Sequence, residues 1–440
     1  MVEQVAQMIV HGEAWTLKDL FVLPNEYVYW SIQIVMYPYM TGLVAGAFVL
    51  SSLYHVFGVE KLKKIARFAL VFSFALLPVA MLPLMLHLMQ PLRGIHVLMT
   101  PHFTSAISAF GIVFMTYACI VAAEIWFVYR EFIADTVQRL SAKNDRRVYE
   151  SLLLLIYKVI SLGALDTSTE ALEADHKAVK FLAGLGIPVA CFLHGYAGFI
   201  FGSVKANALW MTPLMPVIFI CSAVVSGIAL CIISYYLFME LRKWAAKRGK
   251  NALLPDVLAH GSSHGSAAVE YEHLSSVQEH EVKMTSKYLL IFMTLALTLE
   301  VLDMIFRGYT AVKSWDILRD VLFEHDFTKI FIMQYGIGNL LPFVMLLIPG
   351  VTVRRAALAS ILVLFGVLMM RWNVVIGGQA FSLTFNGFMH YHLPIIPDSI
   401  ETFKEGLGGA LLVIATPFVI FYFLNMIFPA FMEGKGDANH

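Results

Sequence analysis

Cysteine is scarce in this chain of 440 residues, and charge is scarcer than in a soluble protein. The four cysteines, Cys119, Cys191, Cys221 and Cys231, stand singly in apolar stretches, and neither CxxC nor CxxCH occurs. Iron-sulfur clusters need grouped thiolates and covalent haem needs CxxCH, so this spacing argues against either group here. The cysteines read as small buried apolar residues. A b-type haem needs paired axial ligands at matched depth, and His55, His87 and His194 lie on different helices, with only His87 and His194 both near one side. Charged residues make up 14%, with 31 basic and 31 acidic side chains, which excludes a general attraction to nucleic acid. The opening MVEQVAQMIVHGEAW lacks the basic and short apolar regions of a cleavable signal, so insertion is expected to rest on the spans themselves.

What is abundant is apolar surface. At 59% apolar residues and a mean hydropathy of +0.73, the chain cannot fold around one soluble core. It is expected to be an all-α polytopic membrane protein. Crossing a bilayer takes about 20 helical residues, and nine runs qualify: 30–56, 66–90, 103–129, 178–200, 212–240, 286–306, 328–349, 356–376 and 408–430. A further run, SLLLLIYKVISLG at 151–163, is short, contains Lys158 and sits between charged segments, so it reads as an interfacial helix rather than a tenth crossing.

Orientation follows the basic residues. Lys61, Lys63, Lys64 and Arg67 follow span one; Arg130, Arg139, Lys143, Arg146 and Arg147 follow span three; Arg242, Lys243, Lys247, Arg248 and Lys250 follow span five; Arg354 and Arg355 follow span seven. With nine spans all four clusters share one side, whereas a tenth crossing would divide them. The N-terminus is therefore expected outside, in the periplasm of a bacterial inner membrane, and the C-terminus inside.

Polar residues within the spans concentrate toward the outer side: His87 and Arg93 at the end of span two, His194 and Tyr196 in span four, Glu300, Asp303 and Arg307 in span six, and Arg371 and Asn373 ending span eight. Charge at the bilayer centre costs about 2.5–3.5 kcal/mol, so such groups face a cavity or a partner. Asp303 and Arg307 are spaced to pair with each other, which stands as the alternative to a cavity role. Glu26, Trp30, Gln33 and Tyr37 recur at i, i+4, i+7 and i+11, one stripe along span one that suits either a pocket wall or an interfacial aromatic belt. His194 and Tyr196, two residues apart, point to opposite sides of their helix.

The segments YPYMTGLVAGAF, HLMQPLRG, HGYAGF, WMTPLMPVIF with VSGIAL, and RWNVVIGGQ resemble the NrfD or polysulfide reductase membrane subunit family. The resemblance implies two four-helix bundles, menaquinone bound near the outer face, and a periplasmic ferredoxin-like iron-sulfur partner, with further molybdopterin-type or multihaem cytochrome c subunits. It matches the family's quinone-contacting tyrosine to Tyr196. Where the family often places a histidine in the first helix, this sequence has Gln33 and Tyr37. The long inner loop and extra last span look most like the larger members, foremost the menaquinone reductase (Qrc) complex of sulfate reducers. Residues 1–29 then form an outer segment, and 30–240 a first helix set with its first bundle at 30–200 and an inner loop at 130–177. An inner linker occupies 241–285; 286–376 completes a second bundle begun at 212; 377–407 is an outer loop; 408–440 is a final helix and inner tail.

Reducing a quinone takes two electrons and two protons, so its site needs donors at both carbonyls, an electron source and a proton route. Tyr196 is expected at one carbonyl, with His87, Gln33 or Tyr37 at the other and His194 nearby. Arg93 is placed to stabilise a developing anion or to dock a partner, and Trp210 to shape the turn where an isoprenoid enters. Glu124, Glu300, Asp303 and Asn339 are candidates for a proton path. His260, His264, His273 and His280 in the linker are too irregular for a metal site and read as part of a flexible tether. The expectation is menaquinone reduction with electrons from partner subunits, against a secondary transporter or a non-catalytic anchor.

Overall fold

The structure is a computed structural model that describes residues 8–10, 13–15, 28, 30–100, 102, 104, 106–144, 147–204, 207, 209–247, 267–309, 315–380 and 388–431. Glu26, His260 and His264 lie outside the described residues. Nine helices among them are long and apolar enough to cross a membrane: Ile32–His55, Glu60–His87, Ala109–Ala142, Thr169–Gly202, Met215–Ala245, Glu272–Tyr309, Thr328–Leu347, Val353–Gly377 and Leu407–Ile427. These are spans one to nine, each overlapping the run expected from hydropathy, and the chain is an all-α polytopic membrane protein. A small antiparallel hairpin, Met8–Val10 with Glu13–Trp15, precedes them.

Several helices outrun their apolar stretches. Span three continues to Ala142 and span four starts at Thr169, which narrows the loop between them, and the helix containing span six begins at Ala267. Hydropathy marks only the lipid-buried part of a helix, and the polar ends extend into water. The short run at 151–163 forms the 13-residue helix Val148–Ile160, too short to cross. Its Leu154 and Tyr157 are buried, the indole of Trp126 in span three donates to Ile160 O (2.8 Å), and the Tyr157 hydroxyl donates to Ile427 O (2.8 Å). Lys143 and the backbone N–H of Arg147 hold the Glu150 carboxyl at its start below the usual carboxylate range.

Spans one to four pack together, as do five to eight, and span nine leans on span two. Spans one and five lie at the junction and are the most enclosed, each with 83% of its apolar window buried. Their crossing depends on two glycines. A Cβ on Gly46 would meet Ala223 O, and one on Gly227 would fall on the backbone of Gly46 and Ala47. Membrane helices gain attraction chiefly by van der Waals packing, so small residues that let backbones touch set the crossing. Gly338 and Gly366 do the same between spans seven and eight.

Span two is broken after Pro78, and Thr328–Leu340 and Asn373–Gly377 are π-helical. Each wide turn shifts the side-chain register, which matters below because Gln334 and Asn373 lie on these two segments.

Gly227→Ala should therefore cost about 1–3 kcal/mol through overpacking. Gly184→Ala, where a Cβ meets nothing within 4 Å, should be near neutral. Thermal unfolding of both variants in one detergent checks the contrast.

Candidate functional site

The junction of the bundles holds a fully buried cation. Arg371, 0% exposed, donates from Nη2 to His194 Nε2 (3.0 Å) and to Ser222 Oγ (2.6 Å), and its guanidinium lies 3.8 Å from the centre of the Phe219 ring. Arginine can only donate, so His194 Nε2 carries the lone pair and the ring proton sits on Nδ1. That nitrogen faces Thr41 Oγ1 (3.4 Å), whose own hydroxyl is donated to Tyr37 O (3.1 Å). His194 is thus held neutral between span one and span eight, stacked on Phe219 at 5.6 Å. The void beside it, lined by Ala45, Cys191 and Ala223 among others, is only about 10 Å³, room for one water at most. A quinone ring cannot reach this histidine.

Tyr196 points the other way from His194, as the spacing requires. It is half-buried between Phe192 (ring centres 5.7 Å apart) and Phe199 (5.6 Å). Tyr37 is also half-buried, edge-on to Phe110 of span three at 5.6 Å. Both tyrosines pack against the main apolar cluster, Tyr37 about one and a half turns from the start of span one and Tyr196 a similar distance from the end of span four. Neither hydroxyl has a hydrogen-bond partner among the described residues.

Gln33, His87 and Trp210 are occupied in holding together the end of the molecule where span one starts. Gln33 is fully buried and donates from Nε2 to Lys404 O (2.5 Å), fastening the loop before span nine; its Oε1 has no partner among the described residues. His87 Nδ1 lies 3.1 Å from Ser31 Oγ and 3.4 Å from Glu405 Oε1. Trp210 donates to Val374 O (2.5 Å) and stacks on Trp30 at 6.0 Å, and Asn207 beside it donates to Gly378 O. Arg93 is exposed in the outer turn. The structure does not bring His87, Arg93, His194 and Trp210 together around one ring.

A second polar centre lies within spans five to eight. A cavity of about 100 Å³ is lined by Glu300, Asp303, Arg307, Gln334, Tyr335 and Asn373 among apolar side chains such as Met215 and Met370. Asp303 accepts from Thr212 Oγ1 (2.5 Å) and from Arg307 Nε (2.9 Å), so the i, i+4 pair forms and still faces the cavity. Gln334 donates to Glu300 Oε2 (3.3 Å) and accepts from Asn373 Nδ2 (2.9 Å), and Tyr335 lines the cavity beside them. Of these, Thr212, Gln334 and Tyr335 escaped the sequence reading. A glutamine and a tyrosine inside span seven were the available signal. Asn339 is buried by the Gly338–Gly366 crossing and does not line the cavity.

Near the end of span one, Glu124 of span three is fully buried and lies 3.4 Å from His55 Nδ1, which also contacts Ser51 Oγ at 3.2 Å. The four cysteines are free thiols, with Cys119 exposed and Cys221 and Cys231 buried. Among the described residues no group of three or more His, Cys, Asp or Glu is placed to hold a metal.

Residues 23–259 match the family described as Polysulphide reductase, NrfD, a stretch that covers spans one to five. The chain is 29% identical over 357 residues to a selenate reductase subunit of Mesobacillus selenatarsenatis, covering 80% of this chain and 74% of the relative. It is 24% identical over 383 residues to a putative dimethyl sulfoxide reductase membrane subunit of Halobacterium salinarum, covering 86% and 73%. Over 216 residues it is 26% identical to an Hdr-like menaquinol oxidoreductase integral membrane subunit of Archaeoglobus fulgidus, covering 49% and 43%.

The buried Asp303–Arg307 pair makes a test of the second polar centre. Asp303→Leu should cost about 3–5 kcal/mol by leaving a buried cation opposed by too little charge. Adding Arg307→Leu should recover part of that loss, and a double-mutant cycle on thermal unfolding measures it.

Proposed function

The chain belongs to the NrfD polysulphide reductase family, and from that premise we propose that it is the quinone-reactive membrane subunit of a respiratory oxidoreductase complex. One observation carries the reading. In the outer half of the first bundle, the Tyr37 and Tyr196 hydroxyls are left without partners among the described residues, while His194, Trp210 and His87 are engaged in structural contacts. A half-buried tyrosine hydroxyl usually finds a partner, and a quinone carbonyl or quinol hydroxyl supplies one.

The reaction exchanges two electrons and two protons. Tyr37 and Tyr196 would hold the quinol oxygens by hydrogen bonds, and its oxidation would supply two electrons to a redox partner protein and two protons to polar groups of the chain. Run in reverse, the same site reduces menaquinone. The relatives' names, two reductase subunits and a menaquinol oxidoreductase subunit, favour quinol oxidation over the reduction expected from the larger family members.

An extrinsic redox protein has a docking surface in the turn after span two, where Met89, Leu92, Ile95 and Met99 expose apolar side chains around Arg93. Such a patch at the surface marks a protein contact. The four basic clusters favour an inner-membrane orientation with this turn in the periplasm and the C-terminus in the cytoplasm. Glu300 and Asp303 around the second cavity, with Glu124 and Asn339 deeper, are the candidates to carry protons. A transporter would bind its solute in the second cavity, but about 100 Å³ holds only a few waters and its carboxylates are already bonded.

Tyr196→Phe and Tyr37→Phe should each weaken binding of menaquinol or menaquinone to the purified protein by about two- to tenfold, the worth of one hydrogen bond. Quinone titration with unchanged thermal stability checks this; full affinity in both variants would overturn the site.

A further inference from the structure

The helix Val148–Ile160 does not lie flat across the ends of the spans, as an interfacial helix would; it stands beside span three. Lys143 Nζ donates to Glu150 Oε1 (2.7 Å), the Phe132 and Tyr157 ring centres are 6.0 Å apart, and the Trp126 indole donates to Ile160 O (2.8 Å). The contacts on span three step back from residue 143 to residue 126 as the short helix advances from 150 to 160. They cover about 25 Å of span three at 1.5 Å per residue. A helix crossing span three would meet it at one level, so this one runs antiparallel to it and returns toward the membrane.

The height at which it stops is marked by two spans. The apolar run of span three ends at Tyr129, before Arg130 and Glu131, and the Tyr129 hydroxyl donates to Pro429 O (3.2 Å), just past span nine. The Tyr157 hydroxyl donates to the carbonyl of Ile427, the last residue of span nine. Trp126, Tyr129 and Tyr157 thus cluster where the spans leave the apolar layer, the level at which tryptophan and tyrosine gather. Past Tyr157, Val159 and Leu162 are 65% and 78% exposed, and with Leu155 they form one stripe on the side away from the buried Leu154 and Tyr157. Leu162 takes left-handed backbone (φ 50°) and Gly163 follows (φ 81°), which turns the chain back so that Leu165 O accepts from Gln138 Nε2 and Asp166 O from Arg130. Lys158 flanks the stripe, exposed and with no ion pair among the described residues.

We propose that residues 155–163 form a shallow tip that dips into the bilayer leaflet on this side and that Lys158 holds an anionic phospholipid there. The stripe is continuous with the lipid-facing surface of span three at the level of Trp126, which selects lipid over a soluble partner. An ammonium beside an apolar stripe meets both parts of a phospholipid, phosphate and acyl chain, and its charge selects an anionic one. Val148, at the far end of the helix, stands about 20 Å farther from the membrane, in water. The proposal is independent of the quinone reading.

The test uses the full-length protein in liposomes of equal parts phosphatidylglycerol and phosphatidylcholine, with photoreactive p-benzoylphenylalanine in place of Leu162 or of Val148. Both positions are exposed, so neither replacement disturbs the core. Lipid adducts should form at 162 and be close to absent at 148. Phosphatidylglycerol should exceed phosphatidylcholine in the adducts at 162 by about fivefold, the worth of one basic residue at an anionic surface, and Lys158→Gln should bring the ratio to one. The unmodified protein gives a second readout: hydroxyl-radical oxidation in the same liposomes should mark Val148 and spare Leu162. Equal adduct yields at the two positions, equal oxidation of both side chains, or a lipid ratio that Lys158→Gln leaves unchanged overturns the proposal.

Discussion

The architecture turns on a positive charge buried where the two bundles meet. Arg371 has no exposed surface, and its nearest hydrogen-bond acceptors are a neutral histidine and a serine rather than a carboxylate. Water cannot help such a group, so the bundles must supply all of its solvation. Phe219 offers a ring face, Ser222 and His194 offer lone pairs, and these come from spans five and four while the arginine comes from span eight. Gly42 of span one leaves room for the imidazole, since a Cβ there would meet the His194 ring at 3.0 Å. His194 is consumed in the process, because its proton must lie on Nδ1 and its other nitrogen is capped by arginine.

That constraint separates the molecule's polar groups into those that hold the fold and those that remain free. The outer rim is stitched by long-range bonds: Gln33 to the loop before span nine, Trp210 to the end of span eight, and the Tyr391 hydroxyl to the backbone N–H of Ile32. Burial pushes the Tyr391 phenol up to about 12, so this acceptor stays protonated and the contact is insensitive to ordinary pH. What the rim does not use are Tyr37 and Tyr196, whose hydroxyls have no partner among the described residues.

Most of the fold was legible because membrane insertion writes itself into hydropathy. Nine apolar runs became nine helices, and the basic clusters ruled against counting residues 151–163 as a crossing. The opposed directions of His194 and Tyr196 followed from helical geometry alone. The site was less legible because hydrogen-bond partners hundreds of residues apart leave no local trace: nothing in the Trp30, Gln33 and Tyr37 stripe announces Lys404. Periodicity also fails at Gln334 and Asn373, where π-helical turns rotate side chains out of the 3.6-residue register and aim them at each other. Arg371 was visible as an intramembrane charge, but its partner could have been any acid on a neighbouring helix.

The two polar regions are linked electrically though they are separate cavities. Glu300 of the second cavity interacts electrostatically with Arg371, and Arg371 bonds His194 on the helix that carries Tyr196. Between buried groups such an interaction is weakly screened, so adding or removing a proton at Glu300 changes the field at the junction far more than the same change at a surface acid. A change of charge on Glu300 is therefore felt at the junction of the bundles through the field alone, without requiring the helices to move.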